Sequence, residues 1–307
     1  MRRDNSSLIG SQPMDLLTKD IFAAFPSTLG AAAIAPSMLV LWTIASMDNR
    51  REPARVVLAT FLFGAGGAFL LSYLRVPVPG ISILTNWPIV QTYLHATFEV
   101  AAPEEAAKLI VLVFFCSRYI AYDHPMECVF YGAAVGLGFA AYENLFYLAN
   151  NPDYWKTIAF MRGLFTVPVH GALGVIIGIY VAWARFGDRR RRSHGFRIKS
   201  YFTGWGIATA LHGLFDLPLL LLQRQVLGQS DNVVLLLAIG IIVAGLASVV
   251  AARIIYRARR SQAISPNSFT TGHRFQNHPW HLTSLIGIVL FLITLPILGW
   301  ARSFMIS

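Results

Sequence analysis

The chain has 307 residues, and its 25 Lys or Arg and 15 Asp or Glu residues make up 13% of it, about half of the roughly 25% that is usual in soluble globular proteins. A soluble chain of this length would normally form about two domains and cover them with charged side chains. Because 55% of the residues are hydrophobic and only two are cysteines, the composition excludes an ordinary cytosolic enzyme, a disordered protein and a disulfide scaffold, and it indicates an integral membrane protein.

A transmembrane helix needs about 20 mostly apolar residues to cross roughly 30 Å of hydrocarbon, and several such stretches follow one another along the chain. The first two carry no charge, whereas the third to the sixth contain internal charges. The segment 76–90 is too broken by proline to form a helix, so we expect it to be interfacial or re-entrant. We predict an all-α fold, a polytopic membrane helix bundle of about eight transmembrane helices, at residues 21–47, 56–74, 94–117, 128–149, 157–184, 201–222, 233–252 and 281–301.

The basic residues between these spans are distributed unevenly. Most lie on the side that contains Arg50, Arg118 and the run of arginines at 189–192, and the positive-inside rule places that side in the cytoplasm and both termini outside. The arginine run could suggest nucleic acid, but beside a span it is better explained by contact with anionic membrane lipids. We divide the chain into three segments. Residues 1–93 hold two spans and the proline-rich stretch, residues 94–222 form a catalytic four-helix core on helices 3–6, and residues 223–307 form a C-terminal two-helix segment.

Ionisable residues interrupt the third to sixth spans. A charge at the bilayer centre costs about 2.5–3.5 kcal/mol even on the gentler insertion scale, so several unpaired charges would not be retained without a role. We therefore expect these side chains to face inward and to neutralise one another around a polar cavity. They are Glu104, Glu105, Lys108, Glu143, Arg162, His170, His212 and Asp216.

The spacing of these residues indicates pairs on single helix faces. Glu104 and Lys108 are four residues apart, in the order that favours a helical ion pair. His212 and Asp216 are also four apart and share a face. Pro103 directly precedes the two glutamates, and we expect it to disturb the helix there and to free backbone groups.

Depth below the predicted cytoplasmic boundaries gives an independent check, at about 1.5 Å per residue. Five residues fall in one layer somewhat outside the midplane, whereas random placement would scatter them over the full thickness. Arg162 lies at roughly 34 Å by the same count, which predicts a snorkelling or lipid-contacting residue near the outer interface. The layer contains Glu104, Glu143, His170, His212 and Asp216 at roughly 21, 24, 22, 18 and 24 Å.

Other small residues in the spans are explained by packing. Glycines four residues apart on the fourth and fifth spans predict close helix packing. The two cysteines lie near one membrane edge without a histidine from the layer nearby, so we expect them to be packing residues. The glycines are Gly132, Gly136, Gly174 and Gly178, and the cysteines are Cys116 and Cys128.

The cluster has the composition of a hydrolytic site. Adjacent carboxylates in a low-dielectric site cannot both stay ionised easily, and one of them is suited to act as a general base on water. His170 or His212 could donate to a developing oxyanion or pass a proton to the leaving amine. Alternatively, two histidines with Glu or Asp form a zinc set that leaves a fourth position for water. The sequence does not choose between these mechanisms.

Four short motifs occur in order along this region: Glu104-Glu105-Ala106-Ala107-Lys108, Phe139-Ala140-Ala141-Tyr142-Glu143-Asn144, His170-Gly171 and His212-Gly213-Leu214-Phe215-Asp216. They resemble the motifs of PrsW-type intramembrane proteases, which share a superfamily with the CAAX prenyl endopeptidases and bacteriocin-immunity proteins. Lysine in the first motif and glutamate in the second favour the PrsW branch over the prenyl-protein branch. The resemblance covers about residues 94–222.

The resemblance implies a membrane-embedded endopeptidase of the bacterial inner membrane that makes the first, extracytoplasmic-side cut in single-pass anti-sigma factors. It assigns Glu104 or Glu105 as the water-activating base and His170 as a second catalytic group. His212 and Asp216 would polarise the scissile carbonyl.

The resemblance leaves the metal open, because family members are sometimes called metalloproteases. We commit to no cofactor; zinc is possible, and its ligands would come from Glu105, Glu143, His170 and His212. Glu143 stands where prenyl endopeptidases have an imidazole and would be a proton partner or a metal ligand. Lys108 would orient the glutamate pair, and Tyr142 and Asn144 would support the site or serve in packing.

Two other classes of function are compatible with the same residues. Buried carboxylates and histidines also form proton relays in transporters and channels, although no paired inverted halves are evident. A non-catalytic scaffold would bind a membrane partner and would tolerate loss of the whole cluster. The partners expected of the protease are a single-pass membrane protein and membrane lipids, without nucleic acid.

Overall fold

The structure is a computed structural model that describes residues 27–48, 52–74, 85–116, 124–186, 193–224, 226 and 233–264. This part of the chain forms helices and contains no strand, which confirms the all-α prediction. We number the helices in chain order as α1 (Ser27–Met47), α2 (Ala54–Leu74), α3 (88–116), α4 (Pro125–Ala149), α5 (Pro152–Phe186), α6 (His194–Gln223) and α7 (Val233–Ile264).

The helices follow the predicted spans. Five of them, α1, α2, α5, α6 and α7, are long and apolar enough to cross a membrane. The other two described helices, α3 and α4, contribute Glu104, Glu105, Lys108 and Glu143, the charges that interrupt their hydropathy. The predicted eighth span at 281–301 and the arginine run at 189–192 lie outside the described residues.

Two helices extend beyond their predicted spans on polar residues. Helix α6 begins at His194 because Ser193 accepts a hydrogen bond from the Phe196 N–H and caps it, as an N-cap serine is expected to do. Helix α7 continues to Ile264 through a basic segment. Hydropathy marks the hydrocarbon-crossing part of a helix, so polar extensions of this kind were missed.

Helix α3 changes its winding along its length. Its segments Pro88–Leu94 and Ala102–Ile110 are α-helical, whereas His95–Ala101 and Val111–Cys116 are π-helical. The π turn ends at Ala101, two residues before Pro103, which has no N–H to donate, so the predicted disturbance is a π bulge and the helix continues. The prediction that 76–90 is not helical is wrong for residues 88–90, because Pro88 occupies the first turn, where proline is favoured. Residues 76–84 of that segment are not described.

Helix α4 is the central helix, and it packs against α1, α2 and α5. Its contact with α5 is close because glycines face backbone on both helices. A Cβ added at Gly136 would lie 2.2 Å from the carbonyl oxygen of His170, and one at Gly174 would lie 2.1 Å from that of Gly132. The predicted glycine packing is therefore confirmed, and it sets the distance between the second and third motifs. Cys116 and Cys128 are both buried in the apolar core, as expected for packing residues.

Candidate active site

Helices α3 to α6 bring the predicted ionisable residues together in one cluster. We call two parts of it the buried half, which consists of side chains at most 4% exposed, and the accessible half, whose side chains are 14–21% exposed. The buried half is Glu105, Lys108, His170 and His212, and the accessible half is Glu104, Glu143, Arg162 and Asp216. All five residues of the predicted layer belong to this cluster.

The buried half is organised around Lys108. Its Nζ lies 2.5 Å from Glu105 Oε1 and 2.7 Å from His170 Nδ1, and His212 Nδ1 lies 2.8 Å from the same Glu105 oxygen. An ammonium group has only donors, so Lys108 donates to His170 Nδ1 and leaves the hydrogen of the neutral imidazole on Nε2. The predicted ion pair between Glu104 and Lys108 is therefore wrong, since Glu105, three residues before the lysine, holds it.

Helix α6 delivers His212 to this group by approaching α3 at a glycine. A Cβ added at Gly213 would lie 2.3 Å from Thr97 Oγ1 and 2.8 Å from Thr97 Cα. The adjacent His212 can then reach Glu105 through Nδ1, while its Nε2 lies 3.3 Å from Asp216 Oδ2 and 3.8 Å from Glu104 Oε2. The predicted shared face of His212 and Asp216 is thus observed.

The accessible half is joined to the buried half through His170. Its Nε2 lies 2.9 Å from Glu143 Oε2, and Arg162 Nη2 donates to the same oxygen at 3.2 Å. Arg162 Nε also donates to Asn144 Oδ1 at 2.7 Å, and its guanidinium lies 4.0 Å from the centre of the Tyr147 ring. Asn144 in turn donates to the Ala33 carbonyl, so it links Arg162 to α1.

The structure differs from the prediction of a snorkelling Arg162, because its side chain donates to Glu143 and Asn144 within the cluster. The depth count locates a backbone position, but it gives neither the helix face nor the end of a long side chain. Within hydrocarbon an arginine is stabilised by carboxylate and amide acceptors, and Glu143 and Asn144 provide them on α4. The sequence contains one signal for membership in the cluster, which is that Arg162 is a basic residue in the fifth span without an acidic partner on the same helix.

Two aromatic residues of the second motif have different surroundings. Phe139 stacks on His170 with ring centres 5.8 Å apart, and the Lys108 Nζ lies 4.6 Å from its ring centre. Tyr142 turns instead toward α2, where its hydroxyl lies 3.0 Å from Ser72 Oγ and its ring contacts Phe69. Of the two alternatives for Tyr142, packing is the one observed.

The cluster also contains a donor set that fits a metal ion. Glu104, His170 and His212 each offer one ligand atom, and these atoms lie within 4.8 Å of one another. Glu104 Oε2 is buried without a hydrogen-bond partner among the described residues, as is Glu105 Oε2, and a buried oxygen in this state is one that a ligand could satisfy. Two imidazoles and one carboxylate are a common catalytic zinc set. This set shares His170 and His212 with the predicted one and has Glu104 in place of Glu105 and Glu143; the Glu105 Oε1 is occupied by Lys108 and His212.

The charges of the cluster support the same fit. Its carboxylates are Glu104, Glu105, Glu143 and Asp216, whereas its permanent cations are Lys108 and Arg162. With neutral histidines the cluster therefore carries an excess of negative charge in a low-dielectric environment, which a divalent cation would neutralise. Ligation by His170 through Nε2 would replace its hydrogen bond to Glu143, and because the ring hydrogen would then be on Nδ1, it would also replace the hydrogen bond from Lys108.

Comparisons with known proteins agree with this site. The family model described as "PrsW family intramembrane metalloprotease" matches residues 52–254, a longer region than the 94–222 of the motifs. The "Protease PrsW" of Geobacillus kaustophilus is 30% identical over 198 residues, which cover 64% of this chain and 82% of that protein. The "Protease PrsW" of Bacillus subtilis is 27% identical over 197 residues, 64% of this chain and 84% of that protein. No solved structure matches the chain.

Proposed function

Because the chain belongs to the PrsW family of intramembrane metalloproteases, we propose that its cluster hydrolyses a peptide bond of a single-pass, membrane-anchored protein by means of an activated water. The family and the relatives named as proteases confirm that the chain is a peptidase, as predicted. The catalytic residues, the water and the substrate class are the proposal. We place the catalytic core at 94–222, between the flanking segments 1–93 and 223–307.

The observation that carries this proposal is the state of Glu104. Both glutamates have a buried Oε2 without a hydrogen-bond partner among the described residues, but the Glu104 side chain is still 14% exposed and lies beside His212 Nε2. Glu105 is fully buried, and its Oε1 is held by Lys108 and His212. Of the two glutamates that the sequence left open, Glu104 is therefore the one that can touch a reacting water and take its proton.

The remaining side chains have distinct parts in the reaction. As the water oxygen attacks the scissile carbonyl carbon, a donor is needed at the oxygen that gains charge. His212 would supply this donor from Nε2 as an imidazolium, because its Nδ1 hydrogen already faces Glu105, and Asp216 on the same face of α6 would stabilise that cation. His170 presents Nε2–H toward Glu143, so this pair can pass a proton to the leaving amine. In a metal-bound form Glu104, His170 and His212 would instead act as ligands, and a divalent ion such as Zn²⁺ would supply the Lewis-acid polarisation of water and carbonyl.

The substrate class follows from where the cluster lies. Its residues are on four apolar helices, so the chain to be cut must itself enter the membrane, as a single-pass protein does. The outward-shifted layer supports a cut on the extracytoplasmic side, and the family resemblance supports an anti-sigma factor as substrate. The bacterial relatives support a location in the inner membrane.

The test is cleavage by the purified protein in liposomes. The substrates are a panel of synthetic single-pass peptides of about 35 residues. Each has a hydrophobic segment of roughly 20 residues, and a fluorescent label on the polar residues that follow this segment. Glu104→Gln is expected to abolish cleavage without unfolding the protein. The matched control is Glu99→Gln on the same helix, since Glu99 pairs with His95 outside the cluster. Full activity of Glu104→Gln would refute the mechanism.

A further inference from the structure

Arg162 has hydrogen-bonding capacity that the protein does not use. A guanidinium carries five N–H donors in a planar fork, and the hydrogen bonds of Arg162 are the one from Nε to Asn144 and the one from Nη2 to Glu143. The other donors have no partner among the described residues. The group is nevertheless held firmly, because Tyr147 lies against its face and Asn144 is anchored to the Ala33 carbonyl.

Arg162 lies in the accessible half of the cluster, which a substrate can reach. Arg162 is 16% exposed, Glu143 18% and Asp216 21%, whereas the side chains behind them are almost completely buried. A peptide that reaches Glu104 approaches through this accessible half. The surrounding carboxylates repel an anion such as a lipid phosphate, but they do not repel the neutral dipole of a carbonyl group.

A substrate that enters this site needs such donors. A membrane helix must unwind locally before one of its peptide bonds can be attacked, and unwinding frees carbonyl oxygens. In a place with little water, each unpaired carbonyl costs several kcal/mol. A preorganised cationic donor offsets this cost more strongly than a neutral one, because charge-assisted hydrogen bonds are about twice as strong.

We propose that Arg162 is a substrate-binding residue whose free N–H edge donates to a main-chain carbonyl oxygen next to the scissile bond. This inference rests on the proposed function of the cluster and adds the group that receives the unwound backbone. The bound ligand is a peptide, and this contact with its main chain does not depend on the identity of its side chains.

The experiment compares two forms of one peptide. In the first, the bonds on either side of the cleavage position are amides; in the second, one of them is an ester, whose carbonyl is a weaker acceptor. Binding is measured by fluorescence on inactive proteins that carry Glu104→Gln, with Arg162 kept or replaced by Lys or Gln. KM and kcat are measured on the active proteins, which are wild type, Arg162→Lys and Arg162→Gln. The control is Arg224→Lys, an exposed arginine just after α6.

We expect the ester to weaken binding about tenfold at one position in wild type, and Arg162→Lys to raise KM by about tenfold, which corresponds to ~1.4 kcal/mol. The difference between ester and amide should largely vanish in the variant, while kcat changes less. A residue that only orders Glu143 would lower kcat and preserve the ester effect, which would overturn the proposal.

Other results also decide the matter. If no ester position weakens binding to the protein that keeps Arg162, the proposal fails whether or not the Arg162 variants fold. An unchanged KM with a lost dependence on anionic lipid in the liposomes would assign Arg162 to a lipid. Arginine-dependent peptide binding without any cleavage by wild type would refute the protease mechanism and leave this contact standing.

Discussion

Replacing Lys108 by methionine should destabilise the protein strongly, because it leaves Glu105 without its cation. The two side chains are 1% and 0% exposed, and the lysine also donates to His170. Removing one partner of a buried ion pair costs about 3–5 kcal/mol, since the remaining charge is uncompensated. The double variant Glu105→Gln with Lys108→Met removes both charges and keeps an amide oxygen for His212, so it should recover about 1–3 kcal/mol of that loss.

The assay is reversible unfolding in mixed micelles, followed by circular dichroism for wild type, both single variants and the double variant. The control is Lys156→Met, which removes an exposed lysine at the start of α5 and should change the free energy of unfolding by no more than about 0.5 kcal/mol. A loss below about 1 kcal/mol for Lys108→Met, or a double variant as unstable as the sum of the two single ones, would refute the view that these charges compensate each other.

Three further predictions concern packing, metal binding and the second motif. Gly213→Ala should lower activity more than tenfold by pushing α6 away from Thr97, whereas Gly206→Ala, which faces open space, should have no effect; equal activity of the two would contradict the close approach. Glu104→Gln should reduce the Zn²⁺ retained by purified protein, measured by elemental analysis after dialysis, and undiminished zinc would remove Glu104 from the ligand set. Tyr142→Phe should keep full cleavage activity, because its hydroxyl bonds to α2; a large loss would place it at the site.

The parts of the structure that the sequence predicts are those set by membrane thickness and helix geometry. An apolar run of about 20 residues forms a helix in a bilayer because its backbone N–H and C=O groups find no water there and must hydrogen-bond to one another. With spans fixed in this way, depth follows from the rise per residue, and Glu104, Glu143, His170 and His212 fall in one layer. Their meeting in the structure therefore has a simple geometric cause.

The partner of each side chain is not predictable in the same way. Residues three and four apart are both neighbours on a helix, so spacing alone cannot decide whether Glu104 or Glu105 pairs with Lys108. The choice is made by His170 and His212, which come from two other helices and meet Lys108 and Glu105. The choice of partner depends on how each helix is rotated about its own axis. The close glycine contacts set these rotations, and hydropathy carries no information about them.

The two halves of the cluster differ in charge balance, and this separates the roles of the adjacent glutamates. In the buried half the charge of Glu105 is matched by Lys108, so its replacement by glutamine should mainly lower the free energy of unfolding. In the accessible half three carboxylates face one guanidinium, and neutralising Glu104 relieves repulsion, so Glu104→Gln should abolish cleavage while leaving stability equal to or above that of wild type. Parallel unfolding and cleavage measurements on the two variants test this, and a Glu104→Gln protein that is less stable than Glu105→Gln would contradict the division.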